Sequence, residues 1–99
     1  MIRARARFYI GTTTRDGLPV KAEAWHTIEG LAIAEYGGFT VTEALGGWKD
    51  DDGRIIREPS RVYETCGHCN AKEFAEQCRN IAEQSSVLYT VETVEGGFV

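Results

Sequence analysis

Residues 2–14 alternate, with Ile2, Ala4, Ala6, Phe8 and Ile10 on one side and Arg3, Arg5, Arg7 and Tyr9 on the other. That period of two is the mark of a half-buried strand. Gly11 and the Thr12-Thr13-Thr14 run lead into a turn at Asp16-Gly17, and Pro19 fits the first turn of a helix. From Val20 to about Tyr36 the period lengthens, and Trp25, Ile28, Leu31, Ala32 and Tyr36 share one helical face. Gly37-Gly38 supplies the stop, because glycine tolerates the left-handed conformation there. Phe39 to Trp48 predicts a second strand, with Phe39, Val41 and Leu45 turned to the core. An acidic turn, Asp50-Asp51-Asp52-Gly53, then makes a hairpin with a third strand from Arg54 to Cys66. Pro59 lies inside that strand and implies a bulge or an edge, since it donates no ladder hydrogen bond. Asn70 is placed to cap a second helix, with Glu73 in capping-box position. This helix runs to about Gln84 and buries Phe74, Cys78, Ile81 and Ala82, and Val87 to about Val94 forms the last strand.

The order β-α-β-β-α-β is the split βαβ of ferredoxin-like α+β domains. Right-handed crossovers put two helices on one face of a four-stranded antiparallel sheet with strand order 4-1-3-2. Phe8, Trp25 and Ile28 then belong in the helix-covered core, while Arg3, Arg5, Arg7 and Tyr9 belong on the open face.

Composition narrows the picture. The 99 residues suit one domain spanning 1–99, and 42% hydrophobic content is enough for a core. The net charge of −4 argues against general DNA or RNA coating, which needs an excess of Lys and Arg. No apolar run approaches the ~18 residues of a membrane span. The basic N-terminus lacks the apolar centre of a secretory signal, so the expected location is the cytoplasm, the host's if the chain is phage-encoded. Three cysteines, an odd number, suggest no disulfide framework.

The arginine stripe is the strongest candidate binding surface. Arg3, Arg5, Arg7 and Tyr9 are expected to be joined by Arg61 and Tyr63 from the third strand, as guanidinium and aromatic groups suited to an anion or nucleotide. Against this, Glu58, Glu64 and Glu92 on the flanking strands are placed to neutralise the stripe by cross-strand pairing. Trp48 at a strand end either closes the core or anchors a partner. Cys66, His68 and Cys69 are weak candidate metal ligands, because a lone CxxC lacks a fourth ligand, and the expectation is no metal and no cofactor. Cys78 lies on the apolar helix face and packs as a small hydrophobe. His26 is expected on the helix surface. Glu58 and Ser60 share a strand face, but no histidine adjoins them, so they make no nucleophile–base pair.

Gly47-Trp48, the Gly53-Arg54-Ile55-Ile56-Arg57-Glu58-Pro59-Ser60 segment and Gln84-Ser85-Ser86-Val87-Leu88 resemble a family of small uncharacterised bacterial and phage proteins. Members have a first strand ending in glycine, a Trp-containing helix, a Gly-Trp turn and a Gly-Arg-x-x-x-Glu-x-Ser strand. The resemblance covers Phe8 to Leu88 and implies a ferredoxin-like fold but no chemistry. Cys66-Gly67-His68-Cys69 departs from the pattern, standing where relatives have a variable loop.

With no complete catalytic constellation, the sequence predicts a small non-enzymatic accessory protein of a phage or bacterium. Its partner is expected to be a host protein, and its role that of an inhibitor of a host defence system. Two alternatives stand beside it. One is a homo-oligomer, such as a homodimer, that captures a nucleotide or small anion on the arginine-lined sheet face. The other is a small dimeric ferredoxin-like enzyme using His26 or His68 as base.

Overall fold

The computed structural model describes residues 1–67 and 70–99. Its elements are β1 (Ile2–Gly11), α1 (Ala22–Tyr36), β2 (Thr40–Lys49), β3 (Ile55–Cys66), α2 (Ala71–Ile81) and β4 (Leu88–Glu95). The four strands form one antiparallel sheet in the order β2-β3-β1-β4, which is the expected ferredoxin-like topology. Phe8 stands opposite Tyr63 on β3 and Tyr89 on β4, and this register fixes which side chains share a face.

The core lies between the sheet and the helices. Phe8, Ile10, Ile28, Tyr63, Phe74 and Cys78 are its largest fully buried side chains. Phe8 meets Phe74 at 4.8 Å between ring centroids, and Trp25 stacks on Tyr63 at 6.2 Å. Such ring pairs add to the gain from area burial alone. α1 ends where Gly37 takes a left-handed φ of 83° and its N–H bonds to the Ile33 carbonyl. α2 begins as its sequence requires, with the Asn70 side chain accepting from the Glu73 N–H at 3.2 Å.

Several expectations are corrected. Pro19 is not in a helix: Val20 N–H donates to the Thr12 carbonyl and Thr14 N–H to the Leu18 carbonyl, so this segment folds back on itself before α1. α2 stops at Ile81 rather than Gln84, because Glu83 takes a positive φ of 52° and turns the chain. Val41 and Leu45 are exposed, not core, since β2 is an edge strand whose residues are largely uncovered. Pro59 causes no bulge, and the β2–β3 register runs through it unbroken. The edge alternative holds instead: β1 ends opposite Ser60, so Pro59 has no ladder partner on that side, and its carbonyl accepts from the Thr12 N–H.

The hairpin is built as its sequence suggests. Asp50 Oδ1 accepts from the N–H groups of Asp52 and Arg54, and Gly53 supplies the φ of 81° that closes the turn. β1 ends opposite Ser60, so the tip half of the hairpin extends past the four-stranded part of the sheet as a two-stranded arm.

Burial also sets an alkaline limit on stability. It pushes the Tyr63 phenol from 10.0 to about 12 and the Cys78 thiol from 9.0 to about 12. Both groups are held neutral in the fold and ionise more readily when unfolded. Their contribution is therefore complete below pH ~9 and is lost as pH rises towards ~12. Thermal melts between pH 8 and 12 should show Tm falling steeply above pH ~9, and a flat profile would contradict this burial.

Candidate functional site

The arginine stripe is on the open face, as expected for Arg3, Arg5, Arg7 and Tyr9, but its charge is already met. Arg5 Nε donates to Glu92 Oε1 at 2.9 Å, and Arg7 Nε to Glu64 Oε1 at 2.9 Å. Arg7 also lies 3.4 Å from Glu92, and Arg5 3.9 Å from Glu64, so the four charges form one cross-strand network. The hydrogen bond and charge of Arg5 hold the Glu92 carboxyl below its usual range, and Glu64 raises the Arg7 guanidinium. Arg3 stands apart, with its guanidinium 5.9 Å from the centroid of the Phe98 ring.

Arg61 and Tyr63 do not join this stripe. They pair with Ile10 and Phe8 and so face the helices, whereas Glu64, one residue on, faces outward with Arg7. Tyr63 Oη donates to Glu29 Oε2 at 2.7 Å, and Arg61 approaches the same carboxylate at 3.7 Å. The Arg61 guanidinium also lies 4.4 Å over the Trp25 ring. These side chains lock α1 to β3. An Arg5→Gln/Arg7→Gln double variant should accordingly melt at a lower temperature than the wild type, with the gap narrowing as salt is added. An unchanged Tm at low salt would show that the network adds nothing.

Cys66 is exposed at the end of β3, and Cys78 is buried in the core. His68 and Cys69 lie outside the described residues. His26 is exposed on α1.

A different place gathers chemistry. At the end of the open face where β1 stops, a cleft of about 930 Å³ lies between the hairpin arm and the loops after β1 and α2. Its floor is made of small residues, because Gly11 and Ala44 flank Ser60 across the sheet and Gly46 lies opposite Glu58. Tyr9 and Trp48 supply aromatic surface, Val62 and Leu88 apolar surface, and Arg15 and Arg57 positive charge. Trp48 thus neither closes the core nor stands alone. It is 46% exposed and lines the cleft.

Two acceptor groups converge here. Glu58 Oε2 accepts from the Thr13 N–H at 3.2 Å, which steers the carboxylate over the end of β1. Gln84 is buried, and its Nε2 donates to the carbonyls of Thr13 and Ala82, both at 3.0 Å. Both amide protons are thereby used, so the orientation of the amide is fixed and Oε1 is the atom left facing Gly11. Glu58 thus faces the cleft rather than an arginine of the stripe, and Gln84 lies beyond the end of α2. Strand alternation alone carries the signal for the site, because it puts Glu58, Ser60 and Gly11 on the face of Tyr9.

No protein-family model and no curated sequence matches the chain. Solved structures do match. A phage SAM lyase in complex with S-methyl-5'-thioadenosine aligns with a TM-score of 0.72 at 14% identity, over 91% of this chain and 80% of that one. A phage SAM lyase in its apo state aligns at 0.65 and 14% identity, over 97% of this chain and 91% of that one. At this identity the likeness is one of fold, and it agrees with the ferredoxin-like arrangement of strands and helices. The expectation of a non-enzymatic protein that engages a host protein is corrected by these two structures, both of which are of an enzyme, a phage SAM lyase.

Proposed function

We propose that this protein is a lyase that cleaves S-adenosylmethionine and releases S-methyl-5'-thioadenosine. The observation that carries the reading is the convergence of Glu58 and Gln84 oxygens in an aromatic-walled cleft. The fold shared with a phage SAM lyase that holds S-methyl-5'-thioadenosine supports it.

The substrate's own chemistry suits such a site. S-Adenosylmethionine carries a sulfonium, an ammonium and a carboxylate. When its carboxylate oxygen attacks Cγ, a C–O bond forms, the C–S bond breaks, and the bonding pair goes to sulfur. The products are homoserine lactone and the neutral thioether S-methyl-5'-thioadenosine. No proton is gained or lost, so the step requires no general base, and among the described residues no histidine lines the cleft.

The residues' tasks are to bind, orient and exclude water. Folding the aminobutyryl arm so that carboxylate oxygen, Cγ and sulfur lie in line is the main entropic demand. Glu58 and Gln84 accept from the ammonium, which keeps its charge throughout the reaction. Tyr9 and Trp48 offer flat surfaces for the adenine, and Arg15 or Arg57 meets the carboxylate as it enters. The attack joins opposite charges, so the transition state is less polar than the bound substrate. Apolar walls such as Val62 and Leu88 therefore favour it over water.

The test is direct. Purified protein incubated with S-adenosylmethionine should release S-methyl-5'-thioadenosine in step with substrate loss, as read by chromatography. Folded protein that leaves the substrate intact over the buffer control would overturn the reading.

A further inference from the structure

Gly11 ends β1 opposite Ser60, and its φ is not positive. An ordinary strand conformation does not require glycine, so the reason for glycine here lies in space rather than in backbone freedom. A Cβ built on Gly11 would stand 2.7 Å from Glu58 Oε1 and 2.9 Å from Gln84 Oε1. Real Cβ atoms essentially never approach an oxygen as closely as the first of these, so any side chain at position 11 pushes the two acceptors apart.

The pair has an unusual electrostatic character. One member is a carboxylate oxygen and the other an amide oxygen whose own N–H groups are committed to Thr13 and Ala82. Neither oxygen donates, so the space they flank in front of Gly11 is complementary to a donor with positive charge and repels a further acceptor. We infer that Gly11 determines specificity in the cleft: lacking a side chain, it lets the Glu58 and Gln84 oxygens stand close beside it, near enough together to flank a single primary ammonium and form its seat. This deepens the lyase reading and rests on it for the identity of the whole substrate. The seat itself stands on geometry alone.

The experiment separates the two. Methylammonium chloride, added at tens of millimolar against sodium chloride of equal ionic strength, probes the seat without any turnover. In the wild type it should shift the Gln84 side-chain amide resonances beyond the sodium control. In Gly11→Ala, shown to be folded by its melting curve, the shift should disappear. The same variant should lose at least tenfold in kcat/KM for S-adenosylmethionine while binding S-methyl-5'-thioadenosine, which has no ammonium, within about twofold of the wild type. A wild type that ignores methylammonium overturns the seat, whatever the variant does. A variant that keeps the methylammonium response, or loses both adenosyl ligands equally, also overturns it. Wild-type protein that responds to methylammonium but leaves S-adenosylmethionine intact refutes the lyase reading alone.

Discussion

Trp25→Ala is expected to lower stability by roughly 3–5 kcal/mol, the usual cost of truncating a large buried aromatic. Trp25 is only 6% exposed, and its ring is covered on one side by Tyr63 at 6.2 Å and met by Arg61 at 4.4 Å. Removing it opens a void between α1 and the sheet. It also takes away the surface on which the Arg61 guanidinium rests beside Glu29. Domains of this size have about 5–15 kcal/mol in total, so the variant should be close to unfolding at ordinary temperature. Urea denaturation followed by far-UV circular dichroism measures the loss. A value below about 1 kcal/mol would mean that α1 is not held to β3 through this residue.

On the lyase reading proposed above, Glu58→Gln should leave the fold nearly unchanged and weaken cleavage of S-adenosylmethionine by about 10- to 100-fold in kcat/KM. That range corresponds to the ~1.5–3 kcal/mol carried by a hydrogen bond to a charged group. Glutamine keeps the size of the side chain, and its amide oxygen still accepts from the Thr13 N–H, so the end of β1 keeps its shape. What the variant removes is the negative charge that this reading sets against the substrate ammonium. That contact is present in the bound substrate and in the transition state alike, so the change should fall on KM more than on kcat. Steady-state kinetics with matched melting curves would check this, and wild-type KM in the folded variant would remove Glu58 from substrate binding.

Strand alternation, glycine stops and the Asn70 cap made the element order legible in the sequence, because each is a local signal. Topology then followed from the right-handed crossover. The arginine network was legible too, since Glu64 and Glu92 fall on the face of Arg5 and Arg7 by parity. The same parity places Arg61 and Tyr63 behind the sheet, and treating them as partners of the stripe overlooked that consecutive strand residues point opposite ways. The cleft was harder to see. It draws on Tyr9, Trp48, Glu58 and Gln84, residues from four separate segments, and its central feature is a contact across the end of β1. Gln84 reaches it only because Glu83 takes a positive φ and ends the helical turn early, a tertiary outcome that no local propensity announces.

The hairpin arm divides the chain into parts under different constraints. From Leu45 to Lys49, and from Ile55 to Pro59, no side chain is buried, yet Trp48, Ile56, Arg57 and Glu58 form a wall of the cleft. Surface substitutions usually change stability by no more than about 0.5 kcal/mol. The arm is therefore free to exchange side chains with little risk to folding, while β1, α1 and α2 hold the scaffold. The shape and charge of the cleft are thus within reach of single substitutions along one ribbon, and the core that supports it need not adapt with them.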